Sequence, residues 1–154
     1  MTERPNARTC IFLKEKAEEA VRFYAETIPD THLDHVQPIG PGMSMVLFRI
    51  MGTHFMAIDG NAGFEPRHDH SIAIATLDQA ETDRLWAALS EGGSEGRCGW
   101  LSDRYGVHWQ ITPTALIHML SDPDREAAER AQSAMMQMKK IDIAAMEAAF
   151  HGSH

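Results

Sequence analysis

Two cysteines in 154 residues, far apart and outside any CxxC, are too few for a disulfide framework, and neither sits in a nucleophile motif. Cys10 and Cys98 read instead as small apolar fillers of strands in a reducing compartment. Positive charge is also scarce: 14 Lys and Arg stand against 22 Asp and Glu, a formal net charge of −8. That sign repels phosphate backbones and anionic headgroups, so neither nucleic acid nor a membrane surface is an expected partner. No apolar run approaches the ~20 residues of a spanning helix. The N-terminus MTERPNARTC is charged and lacks an apolar core, which predicts no signal peptide and a cytoplasmic location. Missing too are a G-x-S-x-G elbow and a glycine-rich phosphate or dinucleotide loop, because Gly40-Pro41-Gly42 has no strand-to-helix setting.

What is present is a 44% hydrophobic chain, enough for the core of one domain. Cys98 to Pro113, CGWLSDRYGVHWQITP, reads as two short strands joined by a turn through Ser102-Asp103-Arg104-Tyr105-Gly106. Period-2 alternation puts His108, Gln110 and Thr112 on one face of the second strand and Val107, Trp109 and Ile111 on the other. The polar face suits a cavity lining. This segment has an upstream echo, because Gly52-Thr53-His54-Phe55-Met56-Ala57-Ile58 repeats the order glycine, β-branched, histidine, aromatic. Ala17 to Tyr24 and Gln79 to Trp86 form a second echo, each after a short apolar strand. Two copies of one unit are expected.

A strand, an Ala-Glu-Glu-Ala-x-x-Phe-Tyr helix and three more strands, then the same again ending in Asp-x-x-Gly-Val-x-Trp-Gln-Ile-x-Pro, resembles the vicinal-oxygen-chelate (glyoxalase/bleomycin-resistance) superfamily. The branch it is most similar to is the PhnB-like, or 3-demethylubiquinone-9 3-methyltransferase-like, group. The resemblance implies an α+β fold of paired βαβββ modules with a C-terminal helical arm, its curled sheets enclosing a small-molecule cleft. Module one is expected over 8–60, module two over 68–113 and the arm over 114–150. The missing nucleoside-binding loop argues against methyl transfer.

In chain order the pattern predicts a strand over Thr9 to Leu13, a helix from about Lys16 to Thr27, a weak strand over Thr31 to Val36 and a loop over 37–42. A hairpin of Ser44 to Ile50 with His54 to Asp59 follows, and the module boundary falls between Gly60 and Pro66. Strand Ser71 to Thr76 and helix Ala80 to Ser90 open the second module, which is short between Gly92 and Cys98. In the arm, Ser121 is the expected N-cap, and Ala127, Ala131, Met135 and Met138, then Ile141, Ala144, Ala145 and Ala148, make apolar stripes. Strand edges and this Met-rich arm point to a homodimer.

In metal-using members of the superfamily, ligands come from four strand positions, and the resemblance carries these onto Thr9, Met56, Ser71 and Gln110. A thioether, two hydroxyls and an amide neutralise no dication, so no metal cofactor is expected. The alternative is a relocated histidine site of His54, His68, His70 and His108 holding zinc or nickel, as in a metal-dependent lyase, dioxygenase or resistance enzyme. On the leading reading, Thr9, His54, Met56, His70, Ser71, Trp100, His108 and Gln110 bind a small organic molecule without metal. Trp86 and Trp109 belong to the core, and Trp100 stays open between packing and stacking on a ligand.

Overall fold

The computed structural model describes residues 7–60, 65 and 69–152. The chain divides into two compact units, Met1–Arg67 and His68–His154. Unit one runs β1 (Thr9–Phe12), α1 (Ala17–Thr27), β2 (Thr31–Gly40), β3 (Met43–Ile50) and β4 (Thr53–Ile58). Its sheet has the order β1-β4-β3-β2, with β1 parallel to β4 and the other pairs antiparallel. Alternation makes one face apolar: Ile11, Val46, Phe48, Phe55 and Ala57 are buried, as are Ala17, Ala20, Val21 and Tyr24 of α1. The helix covers that face because its apolar residues recur at i, i+3, i+4 and i+7.

Residues 37–40, expected in a loop, continue β2 instead, and the reversal is confined to Pro41-Gly42, with Gly42 at φ 68. Pro38 is tolerated because β2 is an edge strand and loses no ladder bond on its open side. A register irregularity between Leu33 and His35 marks a bulge that sets Asp34 out of the ladder.

α1 starts without a side-chain cap of its own: Lys16, at φ 62, supplies none. The buried Asp59 at the end of β4 does the work from a distance, accepting from the Ala17 amide through Oδ2 and the Ser44 amide through Oδ1, both at 2.8 Å.

Unit two repeats the order with β5 (Ile72–Thr76), α2 (Gln79–Ser90), β6 (Ser94–Glu95), β7 (Trp100–Ser102) and β8 (His108–Pro113), paired as β5-β8-β7-β6. The α+β class and the βαβββ order are thus as expected. α2 is capped locally, Asp78 accepting from the Glu81 amide at 2.8 Å. Buried Asp103 holds the β7–β8 turn: it accepts from the Tyr105 and Val107 amides and from the Trp109 indole, at 2.9, 3.0 and 2.8 Å. Trp86 and Trp109 are buried and Trp100 is 40% exposed.

Three helices complete unit two: α3 (Thr114–Leu120), α4 (Arg125–Met135) and α5 (Ile143–Phe150). Leu116, Met119, Ala131, Ile141 and Met146 form their core. The cap of α4 is Asp124, bonded to the Ala127 amide, and not Ser121, whose hydroxyl turns back to the Ile117 carbonyl. Ala144 and Ala145 lie exposed, because α5 turns Met146 inward instead. The segment before α5 is stapled to the rest of the unit. Gln79 donates to the Ile141 carbonyl at 3.0 Å and accepts from the Ile143 amide at 2.8 Å. The Cys98 and Gly99 amides donate to the Met138 and Lys139 carbonyls, and Lys140 pairs with Asp83 at 2.9 Å. No helix among the described residues is long and apolar enough to cross a membrane. The expected module boundary and His68 lie largely outside the described residues, Gly60 and Glu65 excepted.

Candidate functional site

In unit two the helix-free face of the sheet gathers four of the eight expected residues, Ser71, Trp100, His108 and Gln110. The register sets Trp100 opposite Gln110 and Ser102 opposite His108, and Ile72 opposite Trp109, so that Ser71 falls on the Gln110 side. Two hydrogen bonds fix this face. Gln110 donates its side-chain amide to the Ser71 hydroxyl at 2.7 Å, and the Ser102 hydroxyl lies 2.7 Å from His108 Nδ1. The bonds hold two side chains that would otherwise sample several rotamers, beside a half-exposed indole. Such a surface orients a polar group by hydrogen bonding and offers a flat ring for stacking. His70 stands apart, in an exposed turn, with Nδ1 3.0 Å from Asp69.

In unit one His54 and Met56 share the helix-free face. Thr9 does not. The register pairs Thr9 with Phe55, on the α1 side, and Cys10 with Met56, so the expected position is displaced by one residue and reversed in face. The residue of β1's approach that corresponds to Ser71 is Arg8, whose guanidinium donates to the Phe55 carbonyl at 3.0 Å. Burial pushes the Cys10 thiol up, which keeps it protonated at neutral pH. Arg49 lies opposite His54 and grips the bulged Asp34 through three contacts of 2.8 to 3.1 Å. That hydrogen bonding, with the charges of Arg49, Arg8 and His54, holds the Asp34 carboxyl below its ordinary range against a smaller opposing effect of burial. His54 Nδ1 is buried and has no partner among the described residues.

The side chains around Met56 and Gln110 offer a divalent cation no ligand set. Met56 has a protonated thiol and Leu47 beside it, and Gln110 has Ser71 and Trp100. Neither set carries a negative charge to replace the ion's hydration. No group of three or more His, Cys, Asp or Glu among the described residues is arranged to hold a metal.

Reasoning from sequence missed Arg8, Cys10, Asp34, Arg49 and Ser102. Ser102 was open to recognition, since the turn's length fixes which residue faces His108. Asp34 was not, because a bulge leaves no mark in an alternation already weak.

Two βαβββ units with these strand orders define a protein of the vicinal-oxygen-chelate fold class. Within it, the chain belongs to the family described as 3-demethylubiquinone-9 3-methyltransferase, whose pattern matches residues 5–112. Solved structures agree on the fold. A putative 3-demethylubiquinone-9 3-methyltransferase, PhnB protein, from Bacillus cereus is 24% identical, with a TM-score of 0.64 over 71% of this chain and 99% of that one. A protein from Pseudomonas aeruginosa is 21% identical, with a TM-score of 0.61 over 71% and 98%. The fosfomycin resistance protein FosX from Listeria monocytogenes, solved with Mn(II) and sulfate, is 14% identical, with a TM-score of 0.52 over 71% and 92%. No curated protein matches the chain.

Proposed function

We propose that the protein binds a small organic molecule on the helix-free faces of its sheets and does so without a metal. The observation that carries this reading is the Gln110–Ser71 hydrogen bond beside Trp100, with Met56 next to Cys10 on the corresponding strand of unit one. These groups offer hydrogen bonds, dispersion and a stacking surface, the usual means of holding an uncharged or singly charged organic ligand. The family description names methyl transfer, but the chain has no glycine-rich loop to hold a nucleoside-bearing donor, so binding is the function argued from the residues themselves.

The test is elemental analysis of purified full-length protein, with fragment screening by NMR before and after chelation. The expected result is far less than one metal per chain and hits near Trp100, Gln110 and Met56 that EDTA leaves unchanged. About one zinc or nickel per chain, removed by His54→Ala, His70→Ala or His108→Ala, would establish the metal-dependent enzyme in its place.

Assembly as a homodimer belongs to the same reading. It is supported by Ile117 and Met136, apolar side chains exposed by 45% and 49% on or beside the helices of unit two. Light scattering should give twice the 17.2 kDa of one chain, and a monomer mass at micromolar concentration refutes it.

A further inference from the structure

The helix-free face of unit one is graded along its strands, and the grading names a class of ligand. Rows of paired residues run across the sheet. In the first, Arg49 stands opposite both His54 and His32, and the Thr9–Phe55 pairing sets Arg8 at the same level as His54. In the next, Cys10 and Leu47 flank Met56. In the third, Phe12 and Met45 flank Ile58. Successive rows are two residues apart, so the cationic row lies ~13 Å from the Phe12 row. Across β1, β4 and β3 one end is basic and the rest is sulfur and hydrocarbon, with Phe12 49% exposed, while on the outer strand β2 the second and third rows end in His35 and Gln37.

The two guanidinium groups at the basic end are met unequally. Asp34 occupies Arg49, and Asp30, 3.0 Å from His32, adds its charge near Arg49 as well. Among the described residues, Arg8 hydrogen-bonds the neutral Phe55 carbonyl and no carboxylate, and the buried His54 Nδ1 has no partner. The charges of Arg49 and Arg8 both favour the ionised Asp34 carboxylate, so the Arg8 guanidinium lies within reach of the anion that Arg49 holds.

Resting on the reading of the protein as a metal-free binder, we propose that this face takes an organic acid with an apolar body. Arg8 and Arg49 hold the carboxylate, and the body lies over Met56 towards Phe12. Asp34 acts as a resident competitor. It keeps Arg49 paired while the site is empty, and the incoming carboxylate takes over part of that fork.

The probes are sodium octanoate, whose extended length fits the graded rows, and 1-octanol, titrated into ¹⁵N-labelled full-length protein. Octanoate should shift the amides of Arg8, Arg49 and His54 and bind at least about tenfold more tightly than octanol, as one charge-assisted contact predicts. Arg8→Gln should remove that difference without changing octanol binding, and Arg8→Lys should keep most of it. Asp34→Asn should tighten octanoate severalfold, an effect that a merely structural ion pair would not produce. Thermal melts of each variant confirm folding, since Arg8 makes a single backbone contact. Equal affinities for the two probes, no octanoate binding, or octanoate binding indifferent to Arg8→Gln overturns the proposal while leaving metal-free binding of neutral ligands intact. Octanoate binding that disappears on chelation defeats the metal-free reading, whatever Arg8 does.

Discussion

The two sheets share one strand order and differ in how they are held. Unit one has strands β2 and β3 of 10 and 8 residues, while their counterparts β6 and β7 have 2 and 3. Long strands let unit one form its sheet with a single helix behind it. Unit two compensates for its short strands with a turn organised by Asp103 and with the segment before α5, bonded to Gln79, Cys98 and Gly99. The helix-free faces diverge as well. One is built on an Arg–Asp ion pair and the other on hydroxyl, amide and imidazole hydrogen bonds. One topology therefore tolerates different means of support.

The buried aspartates give the largest effect by which to break this comparison. Asp103→Ala strands three donors, one an indole, and should cost about 4 kcal/mol in urea unfolding; Asp59→Ala strands two and should cost about 3 kcal/mol. Asp78→Ala removes an exposed local cap and should cost about 1 kcal/mol. Equal losses for Asp59→Ala and Asp78→Ala would mean that the two helices start in the same way after all.

Gln79→Ala sharpens the contrast within unit two. Two bonds to the segment around Ile141 are lost, and stability should fall by about 2 kcal/mol. Hydrogen exchange should quicken in α5 and leave β3 and β4 untouched. Faster exchange throughout both units would show that the arm supports more than its own unit.

The smallest effect concerns the ion pair. The Asp34 carboxyl is held below its ordinary value in the folded chain, so its contribution is present above the unfolded value and lost as pH falls through the folded one. The pair is partly exposed, so Asp34→Asn should cost about 0.5 kcal/mol at pH 7 and progressively less as the carboxyl is protonated in acid. A cost that grows on acidification would contradict that sign.

Most of the fold could be read from two echoes, but the candidate site could be read only in part, and the reason is geometric. The strand echo ending in Met56 and Gln110 was a sound guide to unit two's face, because alternation there is clean and the turn is short. The helix echo aligns Tyr24 with Trp86. The buried faces match differently, with Ala17, Ala20, Val21 and Tyr24 corresponding to Thr82, Leu85, Trp86 and Leu89. The displacement is close to one helical turn, which keeps a residue on the same face and so leaves the error invisible. A strand has no such tolerance. Transferred to β1, even a one-residue error exchanged Thr9 for Arg8 and turned the reading to the wrong side of the sheet. Asp34 and Arg49 were hidden for another reason: their partnership depends on a bulge, which obeys neither period.

The outer strand of unit one has a consequence for solubility. Where β2 lies open, Pro38 offers no amide, the bulge at Asp34 breaks the run of available backbone groups, and Asp34 and His35 add polarity. An incoming strand finds no continuous ladder along this edge. Chains crowded at high concentration should therefore not zip together along this edge, and the longest strand of the molecule should be among its least prone to fibril growth.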